Sequence, residues 1–210
     1  MPGFIDWLRT PAGRVPQVSS RLHFTDHLGA WRVRWGIGRT SYLIPPGLYA
    51  IGTPDPESPV VVTANYKMSY DLVRNRLAGR DVWLLILETF GINVWCAAGK
   101  GSFGTDELVH RIQQGGLEKV VRHRTLLLPI LGAPGVAAHE VARQTGFSIR
   151  YAALRAEELP EYLDNGMHTT PAMRELTFSV RERLILIPVD LGFSVRALLP
   201  IFALLLIAGW

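Results

Sequence analysis

The sequence predicts an α/β domain built on a doubly wound, mostly parallel sheet. Short strand-like runs recur at Val60–Thr63, which is β-branched, and at Val82–Leu87, Thr125–Pro129 and Ser148–Ala152. Between them lie stretches that carry helix start and stop signals. Apolar residues make up 48% of the 210 positions, enough to bury the core of one ordinary domain.

Residues 1–55 hold many Trp, Arg and Gly, then Ile44-Pro45-Pro46-Gly47 and a stretch punctuated by Pro54, Pro56 and Pro59. They read as an irregular N-terminal arm wrapped over the domain that follows. The α/β domain is expected over 56–190. Its first strand, Val60–Thr63, is followed by a helix from Met68 to Leu77 that Gly79 stops. Val82–Leu87 is a buried strand. Thr105-Asp106-Glu107 supplies an N-cap and an acidic first turn to a helix ending at Gly115-Gly116. Thr125–Pro129 is the third strand, and a helix runs from Gly135 to Thr145 before Gly146. Ser148–Ala152 is the fourth strand, and Glu157–Leu163 a short helix. Continuous apolar strands between helices indicate a sheet covered on both faces, with right-handed crossovers.

The net charge of +4 is spread along the chain without a block of like charges, so nucleic acid is not an expected partner. A single cysteine excludes an internal disulfide, and Met1–Trp7 lacks the pattern of a secretory signal peptide. Both fit a reducing, cytoplasmic setting. Residues 191–210 read as the start of a membrane-spanning region, because Ala197–Trp210 carries no charge. Arg181, Arg183 and Arg196 lie upstream as a cytoplasmic flank would. The expected location is the cytoplasmic membrane, with the domain facing the cytoplasm and the sequence cut within or just after a first membrane helix. A buried C-terminal helix is the alternative.

Ligands of such sheets sit beyond the carboxyl ends of the strands. That rule puts Thr63-Ala64-Asn65, Glu88-Thr89-Phe90, Leu131–Gly135 and Ala152-Ala153 on one rim, with Cys96 just past the second. Asn93 can cap a short helix whose first turn carries Val94, Trp95 and Cys96. Helix amides and Lys100 favour a thiolate there, a soft donor suited to a transition metal. Ala97, Ala98, Gly99 and Gly101 leave room for a flat, bulky ligand. Equally, a free cysteine can be a small buried apolar residue, and the residues alone leave both readings open. Other site chemistries fall away. Gly99-Lys100-Gly101-Ser102 lacks the hydroxyl residue directly after Lys and the earlier Gly of a P-loop. His139-Glu140 begins a zincin motif, but Arg143 stands where the second His belongs. His23 and His27 lie in the arm, and a cysteine hydrolase would need a histidine brought to Cys96 from elsewhere.

The string Asn93-Val94-Trp95-Cys96-Ala97-Ala98-Gly99-Lys100 resembles the cap-helix signature of the mercury-methylating corrinoid protein family, HgcA. Ser58–Asp71 resembles the first strand and loop of that family, and Leu131–Val141 its third rim loop. The likeness covers roughly residues 42–190. More distantly, the domain is similar to the corrinoid domain of the corrinoid iron–sulfur protein of the acetyl-CoA pathway, which lacks the cap cysteine. The resemblance implies a Rossmann-like corrinoid-binding domain holding cobalamin or a related corrinoid base-off. Cys96 would ligate cobalt from the lower face. Thr63, Asn65 and Ser69, the cap from Asn93 to Lys100, and Gly132, Ala133, Pro134 and Gly135 would line the cofactor. It implies methyl transfer from cobalt to Hg(II), forming methylmercury. The implied partners are a ferredoxin-like Fe–S electron donor (HgcB-like), an upstream methyl donor protein and the membrane. A methyl carrier serving another acceptor, or a structural domain without a cofactor, are the competing readings.

Overall fold

The computed structural model describes residues 1–177 and 179–209; Trp210 and the side chains of Arg181 and Arg196, all invoked for the membrane end, lie outside the described residues. The strands are β1 (Phe4–Thr10), β2 (Gly13–Val18), β3 (Gly47–Ile51), β4 (Val60–Ala64), β5 (Val82–Leu87), β6 (Thr125–Leu128) and β7 (Ser148–Tyr151). The helices are α1 (Phe24–Arg34), α2 (Lys67–Arg76), α3 (Val94–Lys100), α4 (Thr105–Gln114), α5 (Leu117–Val120), α6 (Ala138–Thr145), α7 (Leu159–Asp164), α8 (Val180–Leu184) and α9 (Ile187–Ala208).

The strands form one sheet in the order β1-β2-β3-β5-β4-β6-β7. Four pairings are parallel and two antiparallel, so the mostly parallel sheet expected from the sequence is what the chain builds. Side chains alternate between its two faces. Val60, Val62 and Ala64 of β4, with Trp83, Leu85 and Leu87 of β5, pack against α3, α4, α5 and α6. Val61 of β4, with Val82, Leu84 and Ile86 of β5, packs against α2 and α7. Burial on both faces explains why these strands read as continuous apolar runs.

The N-terminal segment departs from the irregular arm expected over 1–55. It contributes three strands to the sheet: the β1-β2 hairpin, and β3, which pairs antiparallel with β5. β1 is mostly exposed and β2 buries only Val15 and Val18, so the hairpin lacks the uninterrupted apolar run that marked the central strands. In β3, Leu48–Ile51 is such a run and is buried throughout, but it is short and follows Pro45-Pro46. The N-terminal segment is held by charge as much as by apolar contact. Arg74 on α2, fully buried, donates to the carbonyls of Ser19 (2.6 Å) and Arg21 (3.0 Å). It also pairs with Asp71 at 2.8 Å, and Asp71 pairs in turn with Lys67.

Two compact units divide the chain. One comprises Met1–Leu22 and Tyr42–Glu175; the other comprises His23–Ser41 and the segment from Leu176 onward. In this division α1 groups with the C-terminal helices. In that second unit, α9 is 22 residues long. At 1.5 Å per residue it spans about 33 Å, and it begins before the expected residue 191. It is long and apolar enough to cross a membrane.

Tyr49 of β3 is buried, its hydroxyl donating to the Pro45 carbonyl at 2.7 Å, and burial pushes its pKa up to about 12. An unfolded tyrosine ionises near pH 10, so between about pH 10 and 12 only the unfolded chain loses this proton. The stability from a neutral Tyr49 is complete below that window and lost as pH rises through it. Tyr49→Phe should therefore show a shallower fall in its urea midpoint across the window than the parent chain.

Candidate functional site

The crossovers from β4 and β5 create a crevice. From β4 the chain crosses through α2 to β5 on one side, and from β5 it returns past β4 to β6 on the other. Strand order thus reverses at β4, where open sheets of this kind leave room for a ligand at the carboxyl edge. A cavity of about 260 Å³ lies there. Its walls include Thr63 at the end of β4, Ser69 of α2, Leu128 at the end of β6, and Asn93, Val94 and Trp95 at the start of α3. The walls are mainly apolar, with Arg155 and Glu157 also among them.

The loop between β5 and α3 is fixed by Asn65, which is fully buried. Its Nδ2 donates to Glu88 Oε1 at 2.6 Å. Its Oδ1 accepts the backbone N–H groups of Thr89 (3.1 Å) and Gly91 (3.2 Å). The Thr89 hydroxyl lies 2.9 Å from the same Oδ1 and 2.7 Å from the Ile92 carbonyl, its one hydrogen shared between them. Glu88 also accepts the Phe90 N–H, at 2.8 Å. Within this clasp Phe90 takes a left-handed conformation (φ 56°), as does Gly91 (φ 69°). A left-handed, exposed phenylalanine is uncommon and is held here by its neighbours' hydrogen bonds.

The clasp launches α3. Asn93 is its N-cap, accepting the Cys96 N–H at 3.0 Å, and Gly101 in the left-handed region (φ 82°) ends it. Val94, Ala97 and Ala98 turn into the core, while Trp95, Cys96, Gly99 and Lys100 face out. Cys96 is exposed, which removes the reading of an inert buried thiol. Gly99 follows on the same outward face, between Trp95 and Cys96 in helical projection. A Cβ added there would meet nothing within 4 Å. No neighbour requires glycine at this position, and its missing side chain clears the surface beside the thiol.

The third rim segment works differently from the sequence expectation. Ile130–Gly135 is a 3₁₀ turn on which α3 packs. A Cβ at Gly132 would lie 2.6 Å from the Phe103 ring, and one at Gly135 would lie 2.1 Å from the Phe103 carbonyl and 3.0 Å from Cα of Ala98. These two glycines allow the turn and the helix to touch. Ala133 is half-buried beside them and Pro134 exposed.

Of the residues singled out in the sequence, Thr63, Ser69, Asn93, Val94 and Trp95 line the cavity. Cys96, Gly99 and Lys100 occupy the outer face of α3. Asn65, Ala97, Ala98, Gly132 and Gly135 sit behind, in the packing that fixes it. Glu88 and Thr89 were recognisable only as rim positions. Their partnership with Asn65, 23 and 24 residues away, leaves no local sequence signal.

The arrangement offers an exposed sulfur donor, a cleared surface beside it, and an apolar cavity at the same helix's amino-terminal turn. That is a fit for a flat metal macrocycle with a bulky appendage. Among the described residues no group of three or more His, Cys, Asp or Glu could hold a bare ion.

Residues 39–158 match the family model of the CO dehydrogenase/acetyl-CoA synthase delta subunit. The chain is similar to the acetyl-CoA decarbonylase/synthase complex subunit gamma of Methanopyrus kandleri, 34% identical over 123 residues, covering 58% of this chain and 26% of that relative. The subunit gamma of Methanothermobacter thermautotrophicus is 31% identical over 128 residues, covering 60% and 28%. The Archaeoglobus fulgidus subunit gamma is 30% identical over 128 residues, covering 60% and 27%. The chain thus spans about a quarter of the length of these relatives. They bear out the more distant of the two resemblances seen in the sequence.

Asn65→Ala would leave the amides of Thr89 and Gly91 without their acceptor inside the protein. A loss of about 2–4 kcal/mol in stability is expected, with faster hydrogen exchange at both amides and retained helix content. Unchanged exchange at Thr89 and Gly91 would show that another group fixes the loop.

Proposed function

The chain belongs to the CO dehydrogenase/acetyl-CoA synthase delta subunit family, and from that premise we propose that it is a corrinoid-binding methyltransferase domain. We assign Cys96 as the lower axial ligand of cobalt and inorganic Hg(II) as the methyl acceptor. The observation that carries this reading is the exposed thiol of Cys96 on the rim, beside the space left by Gly99.

When bound, the corrinoid supplies a cobalt-held methyl group that leaves with its bonding electron pair for Hg(II), giving methylmercury. The chain's residues orient and tune that chemistry. The Cys96 sulfur would hold the metal as a soft donor, and its electron density would favour a methyl group leaving as a carbanion equivalent. Asn93 holds the Cys96 backbone in place, and the cavity bounded by Thr63, Ser69 and Trp95 would hold part of the cofactor. Trp95, more than half exposed, would pack against it. Each turnover requires two electrons to restore a cobalt state that can be methylated again. Cys96 is the only cysteine, so the chain has no ligand set for an iron–sulfur cluster. A separate ferredoxin-like protein is the proposed donor, and another protein the source of the methyl group.

We also propose that α9 spans the cytoplasmic membrane, with Arg183 on the cytoplasmic side. A second reading keeps the corrinoid but makes the domain a methyl carrier for a different acceptor. It is favoured by the relatives, whose names place them in an acetyl-CoA decarbonylase/synthase complex.

Anaerobic reconstitution with cobalamin tests the assignment. The parent chain should bind the corrinoid, and Cys96→Ala should bind it with altered cobalt bands. The methyl-loaded parent should convert Hg(II) to methylmercury, and Cys96→Ala should lose roughly 100-fold or more of that activity. Identical spectra would refute axial ligation. Bound, methylated corrinoid that gives no methylmercury would favour the carrier reading.

A further inference from the structure

Helix α1 buries one face and exposes another. Val33 and Asp26 are buried on the first, beside the half-buried Ala30. The other consists of Phe24, Leu28, Trp31 and, at the C-cap, Trp35, which are 79%, 45%, 58% and 36% exposed. Intervals of four, three and four residues place them in one stripe along the helix. Scattered large apolar residues on a surface are ordinary; four in a row on one helix mark something that covers them.

The surroundings identify the cover. Arg32 and Arg34 flank the stripe on opposite sides, Arg39 follows in the next turn, and no acidic residue occurs between Asp26 and Asp55. The end of the stripe is seated on α9. A Cβ at Gly192 would lie 2.7 Å from the Trp35 carbonyl, so glycine there is what lets the two segments touch. Gly192 lies near the amino-terminal end of α9, close to Asp190 and Pro188. Beyond it the helix continues through Phe193 and the apolar residues from Ala197 to Ala208. Trp35, at the end of the stripe, thus lies beside the polar start of α9, ahead of the uncharged run that follows Arg196.

We propose that α1 lies in the interfacial layer of the same bilayer that α9 crosses. Phe24, Leu28, Trp31 and Trp35 reach the acyl boundary, and Arg32, Arg34 and Arg39 contact anionic headgroups. Tryptophan beside arginine is the side-chain chemistry of that layer. The inference rests on the membrane reading of α9.

The test uses the full chain in vesicles of phosphatidylcholine with about one third phosphatidylglycerol. Cys96→Ser removes the native thiol, and single cysteines are introduced as Leu28→Cys or, as a control on α5, Lys119→Cys. Each is labelled with an environment-sensitive fluorophore. The label at 28 should emit further to the blue than the control and be quenched about twofold more by lipids spin-labelled near the headgroup. Adding Arg32→Gln, Arg34→Gln and Arg39→Gln should reduce that quenching. Alkaline carbonate washing reads α9 separately. If the chain resists washing but the label at 28 stays in water, the proposal is overturned. A blue-shifted label that lipid cannot quench overturns it too, because a protein surface then covers the stripe. If carbonate strips the chain from the vesicles, the spanning role of α9 fails first and this inference falls with it.

Discussion

A single buried amide organises the rim of this domain. Asn65 stands at the end of β4 with no solvent to satisfy it, so both ends of its side chain must find partners inside the protein. They find them in one short loop, Glu88 to Gly91. The backbone of Asn65 is committed too: its N–H donates to the Leu87 carbonyl, and its carbonyl accepts from Ile44. The strand end, the loop and the segment entering β3 are therefore locked to one residue. Because buried polar groups are costly when unpaired, loosening any one partner exposes the others to that cost. Left-handed backbone at Phe90 is tolerable only inside such a lock.

What the lock positions is a helix that could not stand alone. α3 has seven residues, well below the length at which an isolated helix persists in water. Its apolar contribution is Val94, Ala97 and Ala98, small side chains that demand close contact to be worth anything. Gly132 and Gly135 provide it, bringing the 3₁₀ turn against Phe103 and Ala98 at distances no larger residue permits. Hydrogen bonds at one end and shape at the side thus replace the propensity that a longer helix would supply. A charge network does a comparable job for the N-terminal strands. Arg74 and Asp71 tie them to α2 where apolar patterning is weak.

The central strands were legible because burial on both faces writes itself into the sequence as unbroken apolar runs. Val60–Ala64, Val82–Leu87 and Thr125–Leu128 all appear where that pattern put them. The strand-end rule likewise located the rim, since it depends only on the order of elements. β1, β2 and β3 were illegible for a physical reason. The β1-β2 hairpin at the sheet edge carries no such run, and in β3 the buried run Leu48–Ile51 is short and sits behind Pro45-Pro46, its pairing with β5 decided by tertiary contact. On α3, the Asn93 cap and its placing of Cys96 in the first turn were legible, because a capping residue leaves a local signal. The clasp was not legible at Glu88 and Thr89, whose roles exist only through Asn65. At Gly132 and Gly135 the atoms that a side chain would strike belong to Phe103 and Ala98, a packing constraint that the sequence alone does not show.

The division of labour within α3 makes the chemistry separable from the fold. Everything that holds the helix lies on its inner side or at its ends: Val94, Ala97, Ala98, the Asn93 cap and the Gly101 terminus. The outer side contributes little to that holding. Cys96 is bound only through its backbone N–H, which any residue except proline retains, and the space beside it is empty. A thiol with no structural task, on a rigid support beside a cavity, is what an axial metal ligand requires. Its position must not drift, yet its side chain must be free to engage. Substitution of a residue that both packs and ligates would confuse lost folding with lost chemistry. At Cys96 the fold rests on the backbone and the proposed chemistry on the sulfur, so substitution there would test that chemistry without disturbing the helix.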